Sequence, residues 1–182
     1  MAERLKRQYK EEILPELVKE LKLSSPMEAP KLVKVSVNSG IGEFKDSKES
    51  VSSFREELTD LLGQVPRFCR AKKAISGFKI QKGDIVGISA TLHGDRMWSF
   101  VDKLVNVVLP RVRDFRGLDV GAFDSCGNYS IGLEDHTIFP EVNTSKVKVN
   151  RGLQINIVTN GKSVEEAELL LRKLGFPLKK KE

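Results

Sequence analysis

Lys31-Leu32-Val33-Lys34-Val35-Ser36-Val37-Asn38 decides the fold class of this chain. On an extended backbone successive side chains point to opposite faces, so Val33, Val35 and Val37 share one side and Lys34, Ser36 and Asn38 the other. A strand of this kind needs an apolar layer over one face and leaves the other wet. Ile85–His93 repeats the pattern, with Val86, Ile88, Ala90 and Leu92 set against Ser89, Thr91 and His93. Lys82-Gly83-Asp84 ahead of it reads as the turn of a hairpin whose first arm is Phe78–Gln81. A further strand is expected over 153–160, with Leu153, Ile155 and Ile157 inward and Gln154 and Asn156 outward.

Between these strands the apolar period lengthens to that of a helix. Residues 4–22 place Leu5, Tyr9, Ile13, Leu17 and Leu21 on one stripe, and Pro15 should kink or interrupt it. A helix over about 47–62 carries Val51, Phe54, Leu58, Leu61 and Leu62 and stops at Gly63. Another, over about 95–108, carries Met97, Val101, Leu104, Val105 and Val108 and ends at Pro110. The last opens on the capping box Ser163-Val164-Glu165-Glu166 and closes at Gly175 before Pro177. Residues 111–152 have no clear period and read as a loop-rich insertion, and the tail Lys179-Lys180-Lys181-Glu182 should fray.

The expected architecture is therefore a single α+β domain over 1–182, two-layered, with a mostly antiparallel sheet whose helices pack on one face. Ser36, Asn38, Ser89, Thr91, His93, Gln154 and Asn156 would line the free face. Such uncharged hydrogen-bonding groups suit base edges and riboses, while lysine and arginine hold phosphates.

Charge points the same way. The chain has 182 residues with 31 Lys+Arg and 25 Asp+Glu, a net of +6. Residues 1–65 carry a net of −1, residues 66–116 a net of +7, and residues 117–182 a net of zero. An excess confined to the middle of the chain is the footprint of a polyanion rather than of a solubilising surface. From Arg67 to Lys82 there are six cations (Arg67, Arg70, Lys72, Lys73, Lys79, Lys82) and no acid, with Phe68 and Phe78 interleaved as possible stacking surfaces. A second run, Arg111-Val112-Arg113-Asp114-Phe115-Arg116-Gly117, would project its arginines to one side if extended, and their planar forks suit phosphate.

Other chemistries fit poorly. Asn160-Gly161-Lys162-Ser163 resembles the end of a phosphate-binding loop, but the glycine needed five positions before Gly161 is Asn156, inside a strand. Gly40-Ile41-Gly42 has Lys45 where a dinucleotide fingerprint needs its third glycine. His93 and His136 have no nucleophile motif near them, and Glu134-Asp135 reads as a surface loop. Cys69 and Cys126 form neither a disulfide framework nor a metal-ligand spacing. No apolar run approaches membrane-spanning length and the first residues lack a signal-peptide core, so Asn128-Tyr129-Ser130 and Asn143-Thr144-Ser145 carry no weight as glycosylation sites. The expectation is a cytoplasmic protein without catalytic residues, metal or cofactor, and without a membrane partner.

Several motifs run in order along the chain: Val37-Asn38-Ser39-Gly40-Ile41-Gly42, Gly63-Gln64-Val65-Pro66, Arg70-Ala71-Lys72-Lys73-Ala74-Ile75-Ser76-Gly77-Phe78 and Thr91-Leu92-His93-Gly94-Asp95-Arg96-Met97. They continue through Leu109-Pro110-Arg111-Val112-Arg113-Asp114-Phe115-Arg116-Gly117, Phe123-Asp124, Gly127-Asn128-Tyr129 and Ile138-Phe139-Pro140-Glu141. In this order and over essentially the whole length, the chain resembles the 5S rRNA-binding family of bacterial large-subunit ribosomal protein 5. The resemblance implies a structural RNA-binding protein of the central protuberance that binds 5S rRNA and touches 23S rRNA. It also implies contact with the elbow of P-site tRNA, with small-subunit ribosomal protein 13 and with neighbouring 5S rRNA-binding large-subunit proteins, and no homo-oligomer.

By matching position, the resemblance assigns Asn38, Gln64 and Thr91 to 5S rRNA. It assigns Arg70, Lys72, Lys73, Ile75, Ser76, Gly77 and Phe78 to a tRNA-facing loop at about 70–78, and Arg111, Arg113 and Arg116 to rRNA or the intersubunit contact. Ser39 stands where that family commonly has methionine, Ser125-Cys126 replaces a small residue followed by a basic one, and Glu134-Asp135-His136 is more acidic than its pattern. An RNA-binding assembly factor acting off the ribosome would share all these features; a nucleotide-using enzyme of similar architecture lacks its phosphate loop here.

Overall fold

The apolar stripe over residues 4–22 forms one helical column with a wide turn in its middle. The computed structural model, which describes residues 2–42, 48–142 and 150–179, gives helix α1 at Ala2–Gln8, a π turn at Tyr9–Ile13 and helix α2 at Leu14–Glu20. Pro15 lacks an N–H and its ring crowds the carbonyl four residues back; a π turn immediately ahead of it relieves both problems without ending the column. Leu5, Tyr9, Ile13 and Leu17 are all buried. Tyr9 packs its ring 5.3 Å from that of Trp98 and donates its hydroxyl to the Pro30 carbonyl at 3.0 Å; burial pushes its pKa up to about 12.

Five strands follow: β1 Leu32–Gly40, β2 Arg67–Arg70, β3 Ile85–Leu92, β4 Tyr129–Leu133 and β5 Leu153–Thr159, in sheet order β2-β3-β1-β5-β4. The sheet is antiparallel. Ile41 N–H at the end of β1 meets the Val86 carbonyl near the start of β3, and Asn160 N–H beyond β5 meets Lys31 ahead of β1. The remaining helices are α3 Lys48–Leu62, α4 Gly94–Lys103 and α5 Val164–Lys173. A π turn and a 3-10 turn carry α4 on through Arg111.

The chain divides into two compact units: Met1–Val35 with His93–Ile131 and Asn156–Glu182, and Ser36–Leu92 with Gly132–Ile155. In the first, α4 and its continuation bury Met97, Val101, Leu104 and Val108, and α5 buries Ala167, Leu170 and Leu171. Asp102, also buried, accepts hydrogen bonds from Arg4 of α1 and from the Asn106 amide. In the second, α3 buries Val51, Phe54, Leu58 and Leu61, and the strands bury Val37, Ile88, Ala90 and Leu92.

The structure corrects three readings. In β1 the alternation holds only from Val35 on: Val33 is 42% exposed and Leu32 is buried, beside the point where Tyr9 grips Pro30. The hairpin partner of β3 is β2, in the register Arg67↔Ser89, and not Phe78–Gln81. Phe78–Gln81 cannot extend, because the chain reverses there through a 3-10 turn at Ser76–Phe78 and the left-handed Lys79 (φ 52°). Within the expected loop-rich stretch, Tyr-Ser-Ile-Gly-Leu forms β4, burying Tyr129, Ile131 and Leu133 in strict alternation. Gly132, a weak strand former, hides that period from a propensity reading.

The turn entering β4 is built on Asp124. Its carboxylate accepts the backbone N–H of Cys126 at 2.9 Å, that of Asn128 at 2.7 Å and the Asn128 side-chain amide at 2.8 Å, bonds that lower its pKa. Cys126 is exposed, so the unusual Ser125-Cys126 pair leaves the turn intact. Gly127 has φ +77°, and a methyl there would lie 3.0 Å from Ala167 Cβ and 3.2 Å from the Ser163 carbonyl. Gly127→Ala should therefore cost about 2–4 kcal/mol, from left-handed strain and overpacking together. A urea midpoint equal to that of the parent would contradict this account.

Candidate nucleic-acid interface

The second unit brings the sequence-predicted polar residues onto neighbouring strands. Asn38 of β1 and Thr91 of β3 are both exposed, and among the described residues neither the Asn38 amide nor the Thr91 hydroxyl has an intramolecular partner. Gln64, from the turn after α3, donates its side-chain amide to the Thr91 carbonyl at 3.3 Å. One hydrogen bond thus ties two of the three residues together and orients the Gln64 amide plane. Gln154, on β5 in the same unit, is also exposed.

Other members of the expected polar face are already engaged. The Ser89 hydroxyl accepts Arg67 Nε at 3.1 Å and lies 3.2 Å from Cys69 Sγ. In the first unit Ser130 donates to Asn156 Oδ1 at 3.0 Å, a cross-strand pair that uses that acceptor. His93 lies past the end of β3, as the residue before α4. Of that face Asn38 and Thr91 remain, together with half-buried Ser36 and exposed Gln154.

The cationic loop leaves the β2–β3 hairpin between Ala71 and Asp84. Ala71 N–H to the Asp84 carbonyl (2.8 Å) and Gly83 N–H to the Ala71 carbonyl (2.9 Å) close its base. Ile75 and Ile80 exchange hydrogen bonds of 2.9 and 3.1 Å near its tip. Lys72 and Lys73, between these rungs, and Lys82 are exposed and have no acidic partner among the described residues. Arg70 donates to the Gly83 carbonyl at 3.0 Å. At the tip Ile75 is 49% and Phe78 74% exposed, flanked by exposed Ser76 and Gly77. The two phenylalanines of the run part company here: Phe68 is half-buried beneath the Arg55 guanidinium, 4.7 Å from its ring centroid, so only Phe78 offers an open face.

Arg111, Arg113 and Arg116 belong to the first unit and do not form an extended ridge. The chain turns through Val112–Asp114, with Asp114 at φ 52°, so the arginines are exposed around a bend.

The sequence reading missed a buried polar cluster in the second unit. His136 is fully buried: its Nδ1 accepts the Arg151 backbone N–H at 3.2 Å, and its Nε2 lies 3.2 Å from Glu57 Oε2. Because Nδ1 is the acceptor, Nε2 carries the proton and donates to Glu57. His136 N–H in turn donates to the Arg151 carbonyl at 3.0 Å. The Arg151 guanidinium sits 4.3 Å above the Phe54 ring; burial lowers its pKa and the Glu57 charge partly restores it. The cluster fixes both ends of the segment 136–151 to α3. Only the bare presence of Glu57, His136 and Arg151, far apart in sequence, could have hinted at it. Asn143-Thr144-Ser145, inside that segment, lies outside the described residues, as do residues 180–182 of the tail.

Among the described residues no group of three or more His, Cys, Asp or Glu side chains could hold a metal ion, and no helix is long and apolar enough to cross a membrane. Residues 25–81 match the family described as Ribosomal protein L5, and residues 85–178 match the ribosomal L5P family C-terminus. Among similar proteins is the large ribosomal subunit protein uL5 of Ruminiclostridium cellulolyticum, 49% identical over 174 residues, covering 96% of this chain and 97% of that protein. The proteins of the same name from Thermus aquaticus (47% over 176 residues; 97% of each chain) and Synechococcus sp. (45% over 175 residues; 96% of this chain and 98% of that one) are similar along the same span.

Glu57→Ala should destabilise the fold by about 1–3 kcal/mol, because it strands the His136 Nε2–H donor in the interior. Glu57→Gln, which keeps an acceptor oxygen, should recover part of the loss in urea denaturation. Equal losses for the two would mean that the hydrogen bond to His136 contributes nothing.

Proposed function

This chain belongs to the ribosomal protein L5 family, and from that membership we propose that it holds 5S rRNA in the large subunit through Asn38, Gln64 and Thr91 while its 70–78 loop touches P-site tRNA. The family makes it a structural, rRNA-binding constituent of the large ribosomal subunit in translation, not an enzyme. The finer assignment rests above all on one observation: Asn38 and Thr91 present hydrogen-bonding groups without intramolecular partners on neighbouring strands, next to a Gln64 amide held in place by Thr91.

Uncharged amides and hydroxyls without protein partners select geometry, since each pairs only with a donor or acceptor at the right distance. The loop works differently. Lysines without acidic partners neutralise phosphates and release counterions, and the open faces of Ile75 and Phe78 add contact that salt does not screen. We assign Arg111, Arg113 and Arg116 to 23S rRNA or the contact with the small-subunit head. Small-subunit ribosomal protein 13 and the other 5S rRNA-binding proteins are the protein neighbours this reading implies.

Asn38→Ala and Thr91→Ala should each weaken 5S rRNA binding by about 1–3 kcal/mol, as expected when an RNA group is buried without its partner. Filter binding at fixed salt measures this, and affinities within error of the parent would reject the role. Lys72→Ala combined with Lys73→Ala and Lys79→Ala should lower affinity for tRNA and for tRNA-loaded ribosomes while leaving 5S rRNA affinity largely intact. Parallel losses for both RNAs would show that the surface is not divided in this way.

A further inference from the structure

Of the tail expected to fray, only Lys179 lies within the described residues, and it is fastened together with Pro177 and Leu178 before it. Leu118 and Leu178 form a parallel bridge in which Leu118 N–H donates to the Pro177 carbonyl at 2.8 Å and Lys179 N–H to the Leu118 carbonyl at 2.9 Å. Arg172 of α5 donates to the Leu178 carbonyl at 3.1 Å and to the Lys179 carbonyl at 2.8 Å. Its guanidinium is in turn held by Glu168, at 3.0 and 2.8 Å. Gly117 has φ +93°, and a methyl there would come within 3.1 Å of the Pro177 carbonyl and 3.2 Å of Lys179 Cγ. The Lys179 stem therefore lies directly on Gly117, next to Arg116.

Arg113, Arg116 and Lys179 are exposed, and none has an acidic partner among the described residues. Asp114, the one acid in the run, makes no ion pair there either. Several other cations of the same unit are matched, Lys173 by Glu16 and Glu20 at 2.7 and 2.6 Å, Lys162 by Glu28 at 3.9 Å, and Arg172 by Glu168. Leu118 and Leu178 are buried, Phe115 is half-buried, and the exposed side chains of Arg113, Asp114, Arg116 and Lys179 are all charged, whereas the centre of a protein interface is depleted of charge.

We propose that Arg116 and Lys179, with Arg113 beside them, form a second phosphate-binding surface for an RNA backbone, assembled by docking of the C-terminal segment and positioned by Arg172. It belongs to the first unit, shares no residue with the Asn38–Thr91 platform or the 70–78 loop, and extends the arginine assignment to a residue more than sixty positions away in sequence. The ligand is defined by chemistry alone: successive phosphodiesters, contacted without regard to base.

The test uses the full chain and an RNA duplex of arbitrary, non-ribosomal sequence, with affinity followed against salt concentration. Because the probe contains no 5S rRNA or tRNA sequence, the result is independent of those assignments. Arg116→Ala with Lys179→Ala should flatten the slope of log affinity against log salt by about 1.5, the sum for two lost phosphate contacts. Lys162→Ala with Lys173→Ala removes the same charge from matched positions and should leave the slope in place. Arg172→Lys, which keeps the charge but loses the fork, should flatten the slope and speed amide exchange at Lys179. Equal slopes for the two double variants would overturn the surface. So would an unchanged RNA slope accompanied by lost binding to an acidic polypeptide, which would give the patch to a protein. An Arg172→Lys variant with parental slope and exchange would remove Arg172 from the arrangement.

Discussion

The two-residue period of an antiparallel strand is the constraint from which the rest follows. β1 lies at the centre of the sheet, between β3 and β5, and it buries Val35 and Val37. Burying those valines forces Ser36 and Asn38 to the other side, and a slip of one register position would exchange the two sets entirely. Thr91 on β3 is turned outward by the same rule, since Ala90 and Leu92 are buried. The polar platform is thus the obligatory reverse of the core. It requires no separate folding device, and its residues are free to be chosen for what they bind.

Charge is organised by a second rule, the presence or absence of a matching acid. The helices of the first unit use several of their cations internally: Arg4 with Asp102, Lys6 with Asp95, Lys173 with Glu16 and Glu20. The exposed Lys6–Asp95 pair adds little to stability, and all of these pairs neutralise charge that would otherwise attract any polyanion. The cations at Lys72, Lys73, Lys82, Arg113, Arg116 and Lys179 have no such matches among the described residues. A net charge of +6 is small, yet it is concentrated where it is not compensated.

Much of this was legible in the chain itself. The helical stripes, β1 from Val35 on, β3, β5 and the Ser163 cap all follow from local periodicity, and Ser163 Oγ does accept the Glu166 N–H at 3.3 Å. The same local logic located Asn38 and Thr91 on a wet face and the cations between Arg67 and Lys82. It failed wherever the deciding contact was distant. β2 rather than Phe78–Gln81 pairs with β3 because a reversal at Ser76–Lys79 removes the nearer candidate, and β4 is a strand because β5 lies beside it.

Which polar groups are available, and which are consumed, belongs to the tertiary structure alone. Sequence places Ser89 and Asn38 in equivalent positions, but Arg67 and Cys69 converge on Ser89 and nothing among the described residues converges on Asn38. Sequence likewise treats Phe68 and Phe78 alike, until Arg55 from α3 covers the first. His136 is indistinguishable from a surface histidine until Glu57 and Arg151 close around it. Side-chain direction is a property of neighbours i and i+2, so the chain carries it. Side-chain partnership is a property of residues tens of positions apart, and it comes into being only when the strands and helices pack.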